Sequence, residues 1–172
     1  SYTKKEAPPL NAHKDKGDNY KNTTDDFSEE LKRVVMLDGP TAAFKLLKQT
    51  METDKAVFNG CHALVHQIGH AAYHQMGLEK AMEKSDDICG SGYMHGIVEE
   101  HFASLSDIPK AIKTACASVR PEAKASCHHG IGHGLMYALD NNILASLAYC
   151  DQLQKEKMNL RCAEGVFMEH FS

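Results

Sequence analysis

Histidines recur at one position in three short segments of the chain. The segments read Ile68-Gly69-His70, Tyr93-Met94-His95-Gly96 and Ile131-Gly132-His133-Gly134. A fourth segment fits the same frame with Met168 in the histidine column, and a cysteine lies six positions before His95, His133 and Met168. Imidazoles that share one column of a repeated helix could converge on a transition-metal ion.

One helical turn to either side of this column, the residue types again suit a metal. Residues four apart share a helix face. One turn earlier stand His66, Ser91, His129 and Glu164, and one turn later stand His74, Glu99, Tyr137 and Ser172. The pairs His66/His70, His129/His133 and His95/Glu99 are therefore potential two-point chelators. We predict metal ligation by His66, His70, His95, Glu99, His129, His133 and Glu164.

Further side chains could bind a metal or orient its ligands, namely His62, His74, His128, Met168, Glu169 and His170. The predicted catalytic residues are Glu99 and Glu164, which could move protons, and Tyr137, which could assist redox chemistry. A thioether ligand at Met168 would favour copper, although a core methionine gives the same pattern. A chance cluster in a histidine-rich chain is the alternative for the whole set. We expect His13 and His101 to be ordinary, partly exposed residues.

The mixture of imidazole and carboxylate suits copper, iron or zinc. These ligands exceed what one tetrahedral ion needs, so a dinuclear or larger centre is plausible. We favour a metalloenzyme that uses copper or iron for redox chemistry on a small substrate. Three alternatives stay open: a zinc-dependent hydrolase, a protein that passes metal from a donor to an acceptor without turnover, and a structural repeat with incidental histidines. The chain has no His-Glu-x-x-His or Cys-x-x-Cys-His motif, which argues against a zincin protease and a c-type haem.

Nearly the whole chain from Asp26 onward predicts helix, because apolar residues recur at helical spacing and alternation is weak. A peripheral helix followed by an inner, column-bearing helix recurs about four times, with 25, 38 and 35 residues between successive column residues. We therefore predict an all-α fold, a compact bundle of helical-hairpin repeats (about four quasi-repeats) stapled by disulfides. Residues 1–25 are predicted to be a flexible polar arm and residues 26–172 a single helical metal-binding domain.

Six cysteines, none of them in a Cys-x-x-Cys pair, favour three disulfides. Cys116 and Cys127 are eleven positions apart, and Cys150 and Cys162 are twelve apart, so each pair could join the end of one helix to the start of the next. Cys61 and Cys89 remain as the third pair. Three bridges indicate an oxidising compartment, which means the periplasm, the cell surface or the medium. Buried free thiols in a cytosolic protein are the alternative.

The composition narrows the possible partners. A chain of 172 residues with 42% hydrophobic content fits one domain with a core of its own. A net charge of −4 without a basic stripe argues against nucleic-acid binding. No apolar run reaches the roughly 18 residues that cross a bilayer, so we expect membrane attachment only through a removed N-terminal signal or anchor. The oligomeric state is open.

Overall fold

All the secondary structure in the described residues is helical, which confirms the predicted fold class. A computed structural model describes residues 23–153 and 157–171. The helices are α1 Thr23–Asp38, α2 Pro40–Met51, α3 Lys55–Asn59, α4 Cys61–Glu83, α5 Gly92–Ala103, α6 Ile108–Ala115, α7 Lys124–Ala138, α8 Ile143–Cys150 and α9 Met158–His170, with a 3₁₀ turn at Pro121–Ala123. Of the predicted arm, residues 1–22 lie outside the described part, and α1 begins at Thr23.

Local sequence accounts for several helix ends. Pro40 occupies the first turn of α2 directly after Gly39, whose φ of 86° favours glycine. The Asp107 carboxylate accepts a hydrogen bond from the Lys110 amide and caps α6. Gly77 breaks α4 with a φ of 77°, so the regular helix that carries the histidines ends there. Within the described ranges, no helix combines the length and the apolar character of a membrane-spanning segment.

The first two helices form an apolar layer against α4. Leu31, Val35 and Leu47 are fully buried in it. Phe44 meets the ring of Tyr93 edge-on at 5.0 Å. The hydroxyl of Tyr93 donates a hydrogen bond to the carbonyl of Ala81, 2.9 Å away. This core fixes the outer sides of α4 and α5 and leaves the histidine-bearing positions free to face α7.

Glycines bring the four inner helices, α4, α5, α7 and α9, into close contact. These helices pack side by side in that order. The closest approaches, measured from the Cβ that a side chain would add, are Gly69 to Tyr93 O (2.1 Å), Gly96 to His66 O (2.2 Å), Gly132 to Cys162 O (2.1 Å) and Gly165 to His129 O (2.0 Å). A Cβ cannot approach a backbone atom so closely. The mid-helix glycines therefore set the spacing between the inner helices.

The glycine contacts relate two hairpins, α4–α5 and α7–α9; the predicted fourfold repeat is not confirmed. Gly132 lies 63 positions after Gly69, and Gly165 lies 69 positions after Gly96. The same offset of 69 positions, applied to the rest of α9, matches Glu164 with His95. Met168 is then matched with Glu99, one helical turn away from its predicted place in the histidine column. The cysteine spacing aligns Met168 with His95 and His133, but the helix contacts give a different register.

The close approach of α7 to α9 predicts a large cost for a single added methyl group. Gly132→Ala would place Cβ 2.1 Å from Cys162 O and 2.6 Å from the Val166 amide. We expect a loss of about 3 kcal/mol or more in the free energy of unfolding, because two backbones must separate. Gly130→Ala is the matched control, since its Cβ would come no closer than 3.3 Å to His95 Cδ2 and 3.5 Å to His95 Cα and Val98 Cγ2. Equal urea midpoints for the two variants would contradict this account.

The three disulfides pair as the sequence predicts. Cys61 bonds Cys89, Cys116 bonds Cys127, and Cys150 bonds Cys162. The first tethers the start of α4 to the segment before α5. The second tethers the end of α6 to α7, and the third tethers the end of α8 to α9. All six cysteines are used, so no thiolate is available as a metal ligand.

Candidate metal centre

Five histidines from three helices form one group, here called the imidazole cluster. Its members are His62 and His66 on α4 (the α4 pair), His95 on α5, and His129 and His133 on α7 (the α7 pair). The ring of His95 lies between the two pairs, with its centroid 5.3 Å from that of His66 and 4.7 Å from that of His133. Imidazoles from distant parts of the chain therefore meet, but His70 of the predicted column groups with His66 and Glu99 and not with His95.

Four groupings of side chains have three potential ligand atoms within 4.8 Å of one another. They are His62/His66/His95, His95/His129/His133, His66/His70/Glu99 and Glu99/His133/Glu169. The first two consist only of imidazoles and share His95. Imidazole nitrogens are common ligands of zinc, copper and iron. The arrangement could thus hold a metal ion at more than one position.

Hydrogen bonds fix which nitrogen of each ring in the α4 pair is free. Nδ1 of His62 lies 2.6 Å from the carbonyl of Cys89, which can only accept, so this nitrogen carries the proton. Nδ1 of His66 lies 3.1 Å from Oε1 of Glu99 and donates a long hydrogen bond, 3.4 Å, to Oε2 of the same carboxylate. In the neutral rings, both Nε2 atoms therefore carry lone pairs, and they face each other at 3.2 Å.

Two ring nitrogens at this distance share either a proton, in an N–H···N hydrogen bond, or a metal ion. Two nitrogens that bind one ion at 2.0–2.1 Å in a tetrahedral arrangement stand roughly 3.3 Å apart. The spacing in the α4 pair, 3.2 Å between the two Nε2 atoms, fits that value. A carbonyl or carboxylate on the outer nitrogen is also the usual support of a metal-bound histidine. The α4 pair is therefore arranged as a chelator.

The α7 pair has the same geometry. Nε2 of His129 lies 3.1 Å from Nε2 of His133. Nδ1 of His133 donates to the Glu169 carboxylate at 2.7 Å. Burial lowers the pKa of His133 more than the bond to Glu169 raises it. Burial and the neighbouring His133 lower the pKa of His129 to about 4. Both rings are therefore neutral near pH 7 and able to bind a metal.

His95 is the buried centre of the cluster, with 3% of its surface exposed. Burial, together with the neighbouring His133 and His66, lowers the pKa of His95 to about 2. Its Nδ1 is buried and finds no hydrogen-bond partner within the described residues. An unsatisfied buried polar atom costs about 1–3 kcal/mol, so native proteins rarely leave one without a reason. A metal ion that uses this nitrogen would remove the cost.

Two carboxylates, those of Glu99 and Glu100, lie beside the cluster and bind His70. Nδ1 of His70 lies 2.7 Å from Glu100, and its Nε2 lies 2.8 Å from Glu99. Burial lowers the pKa of His70, but the bonds to the two carboxylates outweigh it, so the net pKa is raised. Glu99 is desolvated, yet its bonds from His66 and His70 hold its pKa well below the ordinary range. An ion held by His66, His70 and Glu99 would have to displace the proton on Nε2 of His70.

A pocket of about 500 Å³ opens onto the imidazole cluster. Its lining comprises His62, Gly90, Ser91, His95, Ala125, Ser126, His129, Arg161, Glu164 and Met168. The guanidinium of Arg161 pairs with Glu164 at 2.8 Å. Three cluster imidazoles thus border a space that a small molecule could enter. Any metal held there would be reached from this side.

Several predicted residues lie away from the cluster. Tyr137 is 62% exposed, and His170 is exposed beside Phe171. His74 is 63% exposed and lies 3.0 Å from the Glu100 carboxylate. His128 lines a different pocket and donates from Nδ1 to the carbonyl of Lys124. These four residues belong to none of the metal-binding groupings among the described residues.

The prediction that His101 is partly exposed is wrong, and the same prediction for His13 is not tested. His101 is only 7% exposed, and its Nε2 lies 2.8 Å from the Thr114 hydroxyl. It is buried because α6 packs against α5 and covers this face, and burial lowers its pKa. His13 lies outside the described residues. Met168 is 46% exposed and lines the pocket, so it is not a core methionine.

Glu100 and Arg161 were not predicted from the sequence. Glu100 bonds His70 as Glu169 bonds His133, each at 2.7 Å from Nδ1. A signal for this match exists, because Glu-His-Phe occurs twice, at residues 100–102 and 169–171. That repeated tripeptide gives the same offset of 69 positions as the glycine contacts. Arg161 has no such signal, because the residue that corresponds to it in the first hairpin is Gly92.

Comparison of the chain with known protein families, with curated proteins and with solved structures finds no match. The function is therefore inferred from the residues of the chain itself.

Proposed function

We propose that this protein binds two transition-metal ions in the imidazole cluster and is an extracytoplasmic metalloenzyme. One ion is held by the α4 pair and the other by the α7 pair, with His95 available to both. Copper or iron in this centre would carry out redox chemistry on a small substrate. The metal would supply the electron transfer, and the chain supplies imidazoles, acceptors that orient three of them, and a bordering pocket.

The observation that carries the proposal is the orientation of the ring nitrogens. In His62, His66 and His133 the outer nitrogen donates to a fixed acceptor, and Nε2 faces another imidazole at 3.1–3.2 Å. The two Nε2 atoms of each pair lie within N–H···N hydrogen-bond distance, and a metal ion would take the place of the proton between them. Here the inward nitrogens face one another. A shared cation is what such an arrangement stabilises.

The pocket and the disulfides support the remaining parts of the proposal. A space of about 500 Å³ beside His62, His95 and His129 leaves room for a ligand at the metal. A centre that only stores metal would not need such a space. Three disulfides are typical of proteins that mature in an oxidising compartment.

A zinc-dependent hydrolase is the second candidate, and Glu164 favours it. This carboxylate lines the pocket beside His129. Zinc lowers the pKa of a bound water to about 7, and a neighbouring carboxylate can then move the proton. The ion pair with Arg161 would have to loosen for Glu164 to act as the base.

Elemental analysis tests the proposed function directly. Protein with intact disulfides, purified without added metal and dialysed, is expected to retain about two ions of copper or iron per chain. Electron paramagnetic resonance and optical spectra would then show the oxidation state. Two zinc ions would favour the hydrolase, and freely exchanging metal without turnover would favour carriage between a donor and an acceptor. Absence of metal, both as purified and after loading with copper, iron or zinc salts, would overturn the proposal.

A further inference from the structure

The two inner hairpins carry matched contacts but different ligand types. His66 and His70 correspond to His129 and His133, as the offset of 63 positions between Gly69 and Gly132 requires. The bond from His133 to Glu169 repeats the bond from His70 to Glu100, each at 2.7 Å. Close helix contacts and a hydrogen bond therefore give the same register. The residues that differ within this register show how the two halves differ in chemistry.

The most informative difference is between Glu99 and Met168. Glu99 forms a possible metal-binding group with His66 and His70 in the first hairpin. The corresponding three residues of the second hairpin are His129, His133 and Met168. Met168 lines the same pocket as His129. The hairpins therefore pair two imidazoles with an ionised carboxylate in one half and with a neutral thioether in the other.

We propose that His129, His133 and Met168 form a soft-metal site that prefers Cu(I), distinct in chemistry from the α4 half. This inference rests on the proposed function and names the metal class of its second position. Thioether sulfur is a soft ligand that selects Cu(I), whereas carboxylate suits harder ions.

Two further features agree with a thioether site. All six cysteines are in disulfides, so Met168 offers the pocket a sulfur ligand without competition from thiolate. Glu164, which stands in the place of His95, pairs with Arg161 at 2.8 Å. Its negative charge is therefore already matched by a cation of the chain. The pocket side of the α7 pair thus suits an ion of low charge; Glu99 and Glu169, which group with His133, do not line the pocket.

The test removes the sulfur atom of Met168 and keeps a side chain of similar size. Met168→Leu keeps a side chain of similar volume, and Met36→Leu is the matched control because Met36 is also exposed but lies on α1. Disulfide-intact full-length proteins are titrated with Cu(I) under anaerobic conditions against a chromophoric chelator, and separately with Zn(II). Met168→Leu is expected to weaken the tightest Cu(I) binding by at least about tenfold and to change Zn(II) binding less than about twofold.

X-ray absorption at the copper edge gives a readout independent of affinity. Copper-loaded wild type and Met36→Leu are expected to show a sulfur neighbour, and Met168→Leu is expected to show nitrogen and oxygen alone. Unchanged Cu(I) affinity together with no sulfur neighbour in the wild type would overturn the soft site. If metal still binds through nitrogen in that case, the proposed function survives. If no metal binds to any of the three proteins, the proposed function fails with the inference.

Discussion

His95→Ala is expected to abolish metal retention at both positions of the imidazole cluster. His95 is the one residue shared by the two all-imidazole groupings, and it lies between the α4 pair and the α7 pair. Without it neither pair has a third imidazole: the α4 pair keeps two, and the α7 pair keeps two with the weaker Met168 thioether, which is less than a stable tetrahedral site needs. Removing a ligand should weaken binding by more than the roughly 10–100-fold that follows loss of an outer hydrogen-bond partner. The metal-to-protein ratio after dialysis should fall from about two to near zero.

Two further variants make this result specific. His62→Ala touches only the α4 pair and is expected to lower the ratio to about one. His170→Ala removes an exposed histidine outside the cluster and should leave the ratio unchanged. Circular dichroism confirms that each variant is folded. Retention of two ions by folded His95→Ala would show that the ring of His95 is not a ligand.

The metal-free protein is expected to lose about 2 kcal/mol of its free energy of unfolding between pH 6.5 and pH 5 because of His95 alone. The pKa of this ring is about 2 in the folded protein and 6.5 in an ordinary environment. Below pH 6.5 the unfolded chain takes up a proton that the folded protein refuses, which costs about 1.4 kcal/mol per pH unit. The stability present above pH 6.5 is thus lost as the pH falls.

Other histidines of the site modify this dependence. His129 and His133 add to the loss, because their pKa values are also lowered. His70 acts in the opposite direction. Its raised pKa contributes stability that is fully present below pH 6.5 and is lost as the pH rises through the folded value. Bound metal should protect the protein, because a metal-bound nitrogen cannot take up a proton until the ion leaves.

Urea unfolding of metal-free protein at pH 7.5, 6.5 and 5 measures the effect. His95→Gln cannot take up the proton and is expected to lose about 2 kcal/mol less than the wild type over the acid interval. His170→Gln is the control at an exposed site and should follow the wild type. The same pH dependence in His95→Gln and the wild type would contradict the buried, neutral state of His95.

The sequence predicted the helical class, the two cysteine pairs of short separation and the histidine pairs that share one helix face, because each depends on local spacing. Cys116 and Cys127, for example, are separated by a distance that joins one helix to the next. His129 and His133 share a helix face at any tertiary arrangement. Such features follow from the helical period alone and do not depend on how the helices later pack.

The register between helices could not be read in the same way. Met168 was aligned with the histidines through a cysteine six positions upstream, yet Gly165 meets the backbone of His129 and places Glu164 there instead. The burial of His101 depends on its contact with α6, and no pattern in the sequence predicts that contact. The role of Glu100 depends on two rings of α4 that approach it across a helix interface. Contacts of this kind are set by packing between elements.

The bond from His62 to Cys89 links the order of maturation to metal loading. Cys61, the neighbour of His62, is joined to Cys89, and the carbonyl of Cys89 holds the ring of His62 in one tautomer. Before this cysteine pair oxidises, nothing covalent keeps that carbonyl beside the ring. We therefore expect the α4 pair to reach its described geometry, and to bind an ion in it, only after this disulfide has formed.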